Sequence, residues 1–244
     1  MTAVDISSAA ALLAEVLDVD SFRSWDSPPR QVADAEYRTA LARAALRSDA
    51  DEAIITGEGL LAGRRVAVMC SEFAFMGGSI GTAAAHRIVT AVRRATESRL
   101  PLLASAASAA SGGTRMQEGA AAFTRMAPIV LALTEHKAAG LPYLVHLRNP
   151  TTGGVFASWA SLGHITVAEP GALIGFLGPS VFEALNGDLR RSGVVDRLID
   201  ERPDAADEPV AFASRPASAI TYELAQLCTG PEGRRVDRQH RLRP

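Results

Sequence analysis

The segment LPYLVHLRNPTTGGVFASWASLGHITVAEP, residues 141–170, contains the alternation of elements that decides the fold class. Its apolar run at 141–147 predicts a buried strand, and 149–154 predicts a turn. Residues 155–162 predict a short helix, and the β-branched run at 165–169 predicts a further strand. Because strands and helices alternate in this way, the segment indicates an α/β architecture.

The same alternation continues on both sides of this segment. The small residues at 105–114 predict a loop, and Pro128 should kink or divide the helix around it. Helices are predicted at 7–17, 34–46, about 80–95, 115–139 and 217–227, with mixed helix at 180–199, and strands at 56–63 (with its turn), 65–71, 100–104 and 172–176.

The composition is that of a globular protein, since 48% of the 244 residues are apolar and 21% are charged. This length fits one large domain, or one domain with appendages. We predict an N-terminal helical segment at 1–50, a main domain at 51–230 and a basic, solvated tail at 231–244.

Charge and cysteine usage exclude several classes of protein. The net charge of −2 gives no reason to expect a nucleic-acid or anionic-membrane partner. The N-terminus lacks the basic region of a signal peptide, and no apolar run is long enough to span a bilayer. Cys70 and Cys228 form neither a disulfide framework nor a zinc ribbon, so we expect a cytoplasmic protein without a metal site.

Two glycine pairs, Gly112-Gly113 and Gly153-Gly154, are the first candidates for chemistry. Each follows a predicted strand and is predicted to open a helix. Helix starts present unpaired N–H groups and positive potential to an anion or a carbonyl oxygen, and glycine lets a substrate approach the backbone. The alternative is that both pairs are only tight turns. Neither is a dinucleotide fingerprint, and no phosphate-loop lysine is present.

Polar side chains offer no alternative catalytic arrangement. The five histidines do not cluster, and we interpret them as structural. Ser111 lacks a nameable base, and Glu118 and Glu135 are interpreted as capping or surface carboxylates. A reaction that passes through a thioester enolate fits this absence, because backbone donors alone can stabilise the enolate oxygen.

Four segments resemble one family. FAFMGGSIG (73–81), SGGTRMQEG (111–119), PTTGGVFASWASLGHITVAEPGALIGFLGP (150–179) and SGVVD (192–196) are similar, in this order, to signatures of the carboxyltransferase β subunit of bacterial acetyl-CoA carboxylase. The resemblance covers about residues 55–200. It implies a crotonase/ClpP-like spiral of repeated ββα units and the transfer of a carboxyl group from carboxybiotin to the α-carbon of acyl-CoA.

The resemblance also implies roles and partners. The biotin ureido group would be the base, and the partners would be an α-type subunit and a biotin carboxyl carrier with its biotin carboxylase, in a homo- or hetero-oligomer. Arg115 would lie beside the acyl-CoA site or only hold the loop in place. The implied catalytic residues are Gly112, Gly113, Gly153 and Gly154, and the implied substrate-binding residues are Ser111, Arg115, Gly77, Gly78, Gly175 and Phe176.

Departures from the family pattern keep two further hypotheses open. The four-cysteine zinc ribbon is missing, as in the actinobacterial type, and only the β-like half of a fused chain is evident. Ser180 stands where the family often has arginine, and the loop before Gly112 is long. A biotin-independent decarboxylase of malonyl thioesters and a non-catalytic, carboxyltransferase-derived binding subunit are therefore the alternatives.

Overall fold

A single twisted sheet organises the chain. The computed structural model describes residues 8–29, 34–109 and 113–176, and within these ranges the sheet has seven strands. β1 to β3 pair antiparallel, whereas β3 to β6 are parallel neighbours, and β7 pairs in parallel with the end of β5. The strands are β1 (Arg23–Ser24), β2 (Ile54–Leu61), β3 (Arg64–Ser71), β4 (Leu102–Ser108), β5 (Tyr143–Thr152), β6 (Ile165–Ala168) and β7 (Ile174–Gly175).

Helices connect the parallel strands, as the alternation predicted. Asp34 caps α2 by accepting a hydrogen bond from the Tyr37 N–H at 2.6 Å, and Ser8 caps α1 in the same way at 3.1 Å. The helices are α1 (Ala9–Val16), α2 (Ala35–Ser48), α3 (Thr82–Glu97), α4 (Gly119–Thr124), α5 (Met126–Ala138) and α6 (Gly153–Val155), with a π-helical turn at Phe156–Ala160 and 3₁₀ turns at Met76–Gly78 and Met116–Glu118.

The two faces of the sheet pack against different helices. On one face, Val145 and its neighbours form the larger core with Ile88 of α3 and Leu133 of α5. On the other face, Leu13 of α1 packs in a smaller core with Val68 of β3. Burying such a side chain stabilises the fold by about 1.5–3 kcal/mol. The proposed divisions at residues 50 and 230 stay predictions.

Two loop predictions were wrong at the sheet. Residues 105–108, expected in a loop, belong to β4, because Ala106 pairs with Leu147 and Ser108 with Thr151 on the neighbouring strand. Residues 149–152, expected in a turn, extend β5, because Thr151 bonds to Leu173 beside β7. The residues of both stretches are small or typical of turns, so the sequence did not indicate the strands that their backbone hydrogen bonds form.

The helix predicted at 115–139 is divided, as Pro128 suggested. The break falls at Arg125, and Pro128 lies in the first turn of α5, where its missing N–H is not needed. The helix itself starts only at Gly119. The predictions for 180–199, 192–196, 217–227 and 231–244 lie outside the described residues. None of the helices within the described ranges is long and apolar enough to cross a membrane.

Candidate active site

The end of β5 carries the second glycine pair. Gly153 follows β5 directly, with a φ of +66° that glycine adopts without steric cost, and opens α6. The N–H groups of its first turn have no acceptor inside the helix. The helix continues as a π-helical turn at Phe156–Ala160, a geometry that is frequent at functional sites. This pair therefore has the helix-start setting that its sequence predicted.

Gly113 lies against this helix start. A Cβ built on Gly113 would be 2.5 Å from the Gly154 carbonyl carbon and closer still to Gly154 Cα and the Val155 nitrogen. The φ of Gly113 is +67°. The two glycine loops are thus in backbone contact, which only glycine at position 113 permits. Ser111 and Gly112 lie outside the described residues.

One expectation about the first glycine pair was wrong, because no helix opens at Gly113. Thr114 instead forms a bridge with Ile80, and a 3₁₀ turn at Met116–Glu118 precedes α4. The backbone hydrogen bonds of this bridge hold the chain extended where the sequence suggested a helix start. Gly113 is therefore placed by the bridge and by its contact with Gly154.

The earlier glycine-rich segment joins the same edge of the sheet. The Ile80 N–H donates to the Gly113 carbonyl at 2.9 Å, and the Ala109 N–H donates to the Gly77 carbonyl at 3.1 Å. Gly78 packs so tightly on β4 that a Cβ would overlap the Ala107 carbonyl oxygen. Gly77 and Gly78 therefore contact the end of β4 and the residue that follows it, while their predicted role in substrate binding stays a prediction.

Gly175 and Phe176 complete the neighbourhood. Gly175 pairs with Thr152, immediately before Gly153. The Phe176 ring lies edge-on to the Phe156 ring, with 5.2 Å between centroids, and its side chain is 65% exposed. The structure thus brings together Gly77, Gly78, Gly113, Gly153, Gly154, Gly175 and Phe176 at the carboxyl ends of β4 and β5.

Arg115 is next to Gly113 in sequence, but its side chain points into the protein. It is 2% exposed, and its guanidinium donates to the carboxylate of Glu52, which is also 2% exposed. The geometry favours the alternative in which Arg115 holds the loop. Sequence reasoning missed Glu52, which belongs to no motif and is 63 positions away.

Comparison with known proteins identifies the family. Residues 14–194 match the carboxyl transferase domain. The chain belongs to the carboxyl transferase domain family. It is 59% identical to the probable biotin-dependent acyl-coenzyme A carboxylase beta3 subunit of Mycobacterium tuberculosis, over 75% of this chain and 39% of that protein. It is 41% identical to the acetyl-coenzyme A carboxylase carboxyl transferase subunit beta of Chelativorans sp., over 72% of this chain and 58% of that protein.

Solved structures show the same fold. The carboxyl transferase domain superposes on a Pseudomonas malonate decarboxylase hetero-tetramer in complex with malonate, with a TM-score of 0.71, 22% identity and coverage of 98% of this chain and 92% of that chain. Transcarboxylase 12S with methylmalonyl-coenzyme A and methylmalonic acid bound gives a TM-score of 0.63 at 24% identity, over 75% and 33% of the chains. The predicted α/β, crotonase/ClpP-like fold is confirmed. This chain spans less than two thirds of the length of the curated relatives above.

Buried histidines of this carboxyl transferase domain have structural partners. His136 is hydrogen-bonded with the Thr96 hydroxyl at 2.9 Å, and His146 Nδ1 with the Ser105 hydroxyl at 3.3 Å. Burial, with a contribution from Arg148, lowers the pKa of His146 to about 4, so this ring is neutral at neutral pH. The described residues contain no group of three or more His, Cys, Asp or Glu that could hold a metal ion.

The structure also shows the surroundings of the Glu118 and Glu135 carboxylates. Glu118 accepts the Thr82 N–H at 2.6 Å at the start of α3, which confirms a capping role, and Glu135 is exposed on α5. Burial acts to raise the pKa of Glu118, but hydrogen bonds from Thr82 and Tyr37 outweigh it and keep the pKa below its ordinary value. Glu118 is therefore held in a hydrogen-bonded position at the start of α3, and Glu135 lies at the surface.

A groove on α2 was not predicted. It has a volume of about 580 Å³ and is lined by two exposed arginines, one helical turn apart, and by apolar side chains. Met76, on its wall, belongs to the same loop as Gly77 and Gly78. The available signal was an i, i+4 arginine pair beside Leu46, which is 88% exposed. The lining residues are Ala40, Arg43, Leu46, Arg47 and Met76.

Proposed function

We propose that this chain is the β-type carboxyltransferase part of a biotin-dependent acyl-CoA carboxylase. It would transfer a carboxyl group from carboxybiotin to the α-carbon of acyl-CoA and form a malonyl-CoA-type product. The observation that carries the proposal is the backbone contact between Gly113 and Gly154 at the start of α6. Membership in the carboxyl transferase domain family and the names of the relatives support it.

The proposed chemistry needs only backbone donors from this chain. Carboxybiotin would supply the carbon dioxide, and its ureido group would supply the base that takes up the α-proton of the acyl-CoA. Negative charge then builds on the thioester oxygen, where the N–H groups of Gly153 or Gly154, with a further donor from the 112–113 loop, would stabilise it. Each such donor contributes about 3–4 kcal/mol to transition-state stabilisation. The enolate carbon then forms the new C–C bond to carbon dioxide.

We propose that the nucleotide end of CoA binds in the groove on α2. Arg43 and Arg47 offer two guanidinium groups to phosphates, and Leu46 and Met76 offer apolar surface to the base and the pantetheine. Met76 leads directly into Gly77-Gly78 and from there to the loop of Gly113. An acyl-CoA would therefore run from the groove along this loop to the α6 start, with Gly175 and Phe176 beside the acyl group.

Exposed apolar side chains support the need for partners. Met116 is 90% exposed and Phe123 is 69% exposed, and both follow Gly113 in the chain. With the exposed Phe176 they place apolar side chains on the segments that carry the site, and the relatives are themselves named as subunits. We therefore propose an α-type partner that covers the site and brings the biotinylated carrier, in an oligomeric assembly.

Reconstitution tests this function. The full chain is combined with an α-type carboxyltransferase subunit, a biotinylated carrier and biotin carboxylase, and ATP-dependent acyl-CoA carboxylation is followed with and without the carrier. Carrier-dependent carboxylation supports the proposal. Decarboxylation of a malonyl thioester without biotin would instead support the decarboxylase. Failure to bind any acyl-CoA would refute both enzymatic functions and favour the non-catalytic, carboxyltransferase-derived subunit.

A further inference from the structure

The position of Gly113 depends on a backbone bridge to the preceding glycine-rich segment. The Ile80 N–H donates to the Gly113 carbonyl, and the Arg115 N–H donates to the Ile80 carbonyl, each at 2.9 Å. This parallel bridge fixes Thr114 beside Ile80. Whatever holds residues 80 and 115 therefore also sets the distance from Gly113 to Gly154.

Arg115 holds this bridge from the interior. Its guanidinium bonds both carboxylate oxygens of Glu52, one of them at 3.1 Å from Nη1. Nη1 also donates to the Tyr37 hydroxyl at 3.2 Å, and Nη2 donates to the Ser79 carbonyl at 3.1 Å. The Arg115 side chain is 1% exposed and the Glu52 side chain 2%, so each charge compensates the other away from water.

Glu118 connects the same cluster to α3. It accepts hydrogen bonds from the N–H and the hydroxyl of Thr82, the first residue of α3, and from the Tyr37 hydroxyl. Its Oε1 is 3.7 Å from Arg115 Nη1. Burial and the bond to Glu118 raise the pKa of Tyr37 to about 12, so the phenol remains a donor. We call Arg115, Glu52, Tyr37, Glu118 and Thr82 the Arg115 network.

The Arg115 network is packed without free space around Gly81. A Cβ at position 81 would overlap Glu118 Oε1 and would lie 2.7 Å from Arg115 Nη1 and 2.8 Å from its Cζ. The φ of Gly81 is −94°, which any residue can adopt. A side chain at position 81 would therefore displace the ends of the Glu118 and Arg115 side chains, which connects the network to the residue that follows the bridge.

These contacts leave no Nη hydrogen of Arg115 for a substrate. Both Nη atoms already donate to two acceptors each, and turning the guanidinium away would leave the Glu52 carboxylate buried without a counter-charge. We propose that the Arg115 network is a positioning device that holds Gly113 against Gly154 and does not touch the substrate. This proposal rests on the function proposed above.

Conservative variants test the positioning role. Arg115→Lys keeps the charge but loses the planar fork that spans both Glu52 oxygens, and Tyr37→Phe removes one hydroxyl. Because a displacement of ~1 Å can cost about 100-fold in rate, we expect the reconstituted enzyme to lose about 10- to 100-fold in kcat with Arg115→Lys. We expect a smaller loss with Tyr37→Phe, and a KM for acyl-CoA within about twofold of wild type in both.

The matched control is Arg65→Lys. Arg65 pairs with Glu58 at 2.7 Å, but its side chain is 57% exposed and lies away from the site. This variant should leave kcat, KM and thermal stability unchanged, since exposed ion pairs contribute little. Equal losses of kcat in Arg65→Lys and Arg115→Lys would overturn the proposal.

Hydrogen exchange supplies a readout that does not depend on turnover. Exchange of the Ile80 and Arg115 amides, which form the bridge, should be faster in Arg115→Lys and Tyr37→Phe and unchanged in Arg65→Lys. If the bridge exchanges as in wild type while acyl-CoA binding weakens, Arg115 contacts substrate and the proposal is refuted. Uniformly faster exchange across the domain would also refute it. If the bridge amides exchange faster but the chain has no carboxyltransferase activity, the positioning role is supported and only the proposed function is refuted.

Discussion

Gly113→Ala tests the proposed site most directly. The added Cβ would be 2.5 Å from the Gly154 carbonyl carbon, whereas ordinary van der Waals contact begins at 3.4 Å, so the two loops must separate by roughly 1 Å. The φ of +67° adds about 1–2 kcal/mol of backbone strain for an L side chain. A misplacement of ~1 Å costs about 100-fold in rate, which corresponds to about 2.7 kcal/mol of transition-state stabilisation.

The assay for this variant measures kcat and KM for acyl-CoA in the reconstituted enzyme, together with thermal unfolding of the chain. Gly140→Ala is the matched control, because Gly140 has a φ of +76° and nothing within 4 Å of an added Cβ. Backbone strain should cost both variants similar stability, the overlap with Gly154 should cost Gly113→Ala more, and only Gly113→Ala should lose about 100-fold in kcat. A Gly113→Ala enzyme with kcat within about twofold of Gly140→Ala would refute the role of the glycine contact.

Three further variants probe other parts of the site and the fold. Gly154→Pro removes one N–H from the first turn of α6 and should abolish turnover in a folded protein, whereas Ala35→Pro, at the first position of α2, should be neutral in the same assay. Arg43→Ala with Arg47→Ala should weaken acyl-CoA binding at least about tenfold by calorimetry, with a smaller salt dependence than wild type. The folded pKa of His146 is about 4, below its unfolded value, so its contribution to stability is full above pH ~6.5 and is lost as pH falls towards 4. The free energy of unfolding lost in this way is about 3 kcal/mol. His146→Gln should therefore reduce the fall of the urea-unfolding free energy at acid pH. An unchanged fall would exclude His146 as its cause.

The local pattern of apolar residues was sufficient to predict the fold class and most of the helices and strands. Apolar runs such as 65–71 and the spacing of apolar residues in α3 predict strands and helices because each element must bury one face. The errors fell where pairing partners decided the outcome. Residues 105–108 are small and loop-like in composition, yet each lies in β4, whose register with β5 is fixed by residues about 40 positions later.

The sequence located the site only through its glycines and through the motifs that resemble the family. Sequence pointed to Gly113 and Gly154, but not to their contact, which depends on two parallel strands ending at one edge of the sheet. The partners of Arg115 could not be found in the same way. Glu52 and Tyr37 precede it by 63 and 78 positions and carry no pattern that distinguishes them from other surface-type residues.

A site made of backbone N–H groups changes how mutations should be read. Alanine substitutions of polar side chains remove catalytic groups in most enzymes, but here they would remove none, since the proposed donors belong to the main chain. Substitutions that add atoms at glycine, or that replace an N–H by proline, are the ones that reach the chemistry. Polar residues of the network such as Glu52 and Glu118 should instead affect the rate through geometry, by the displacement of Gly113 that their loss causes. Glu118→Gln keeps the shape of the side chain and loses its charge, whereas Gly81→Ala keeps every charge and forces the network apart. Glu118→Gln should therefore retain more activity than Gly81→Ala. The reverse order in kcat would show that the Glu118 charge itself acts on the reaction.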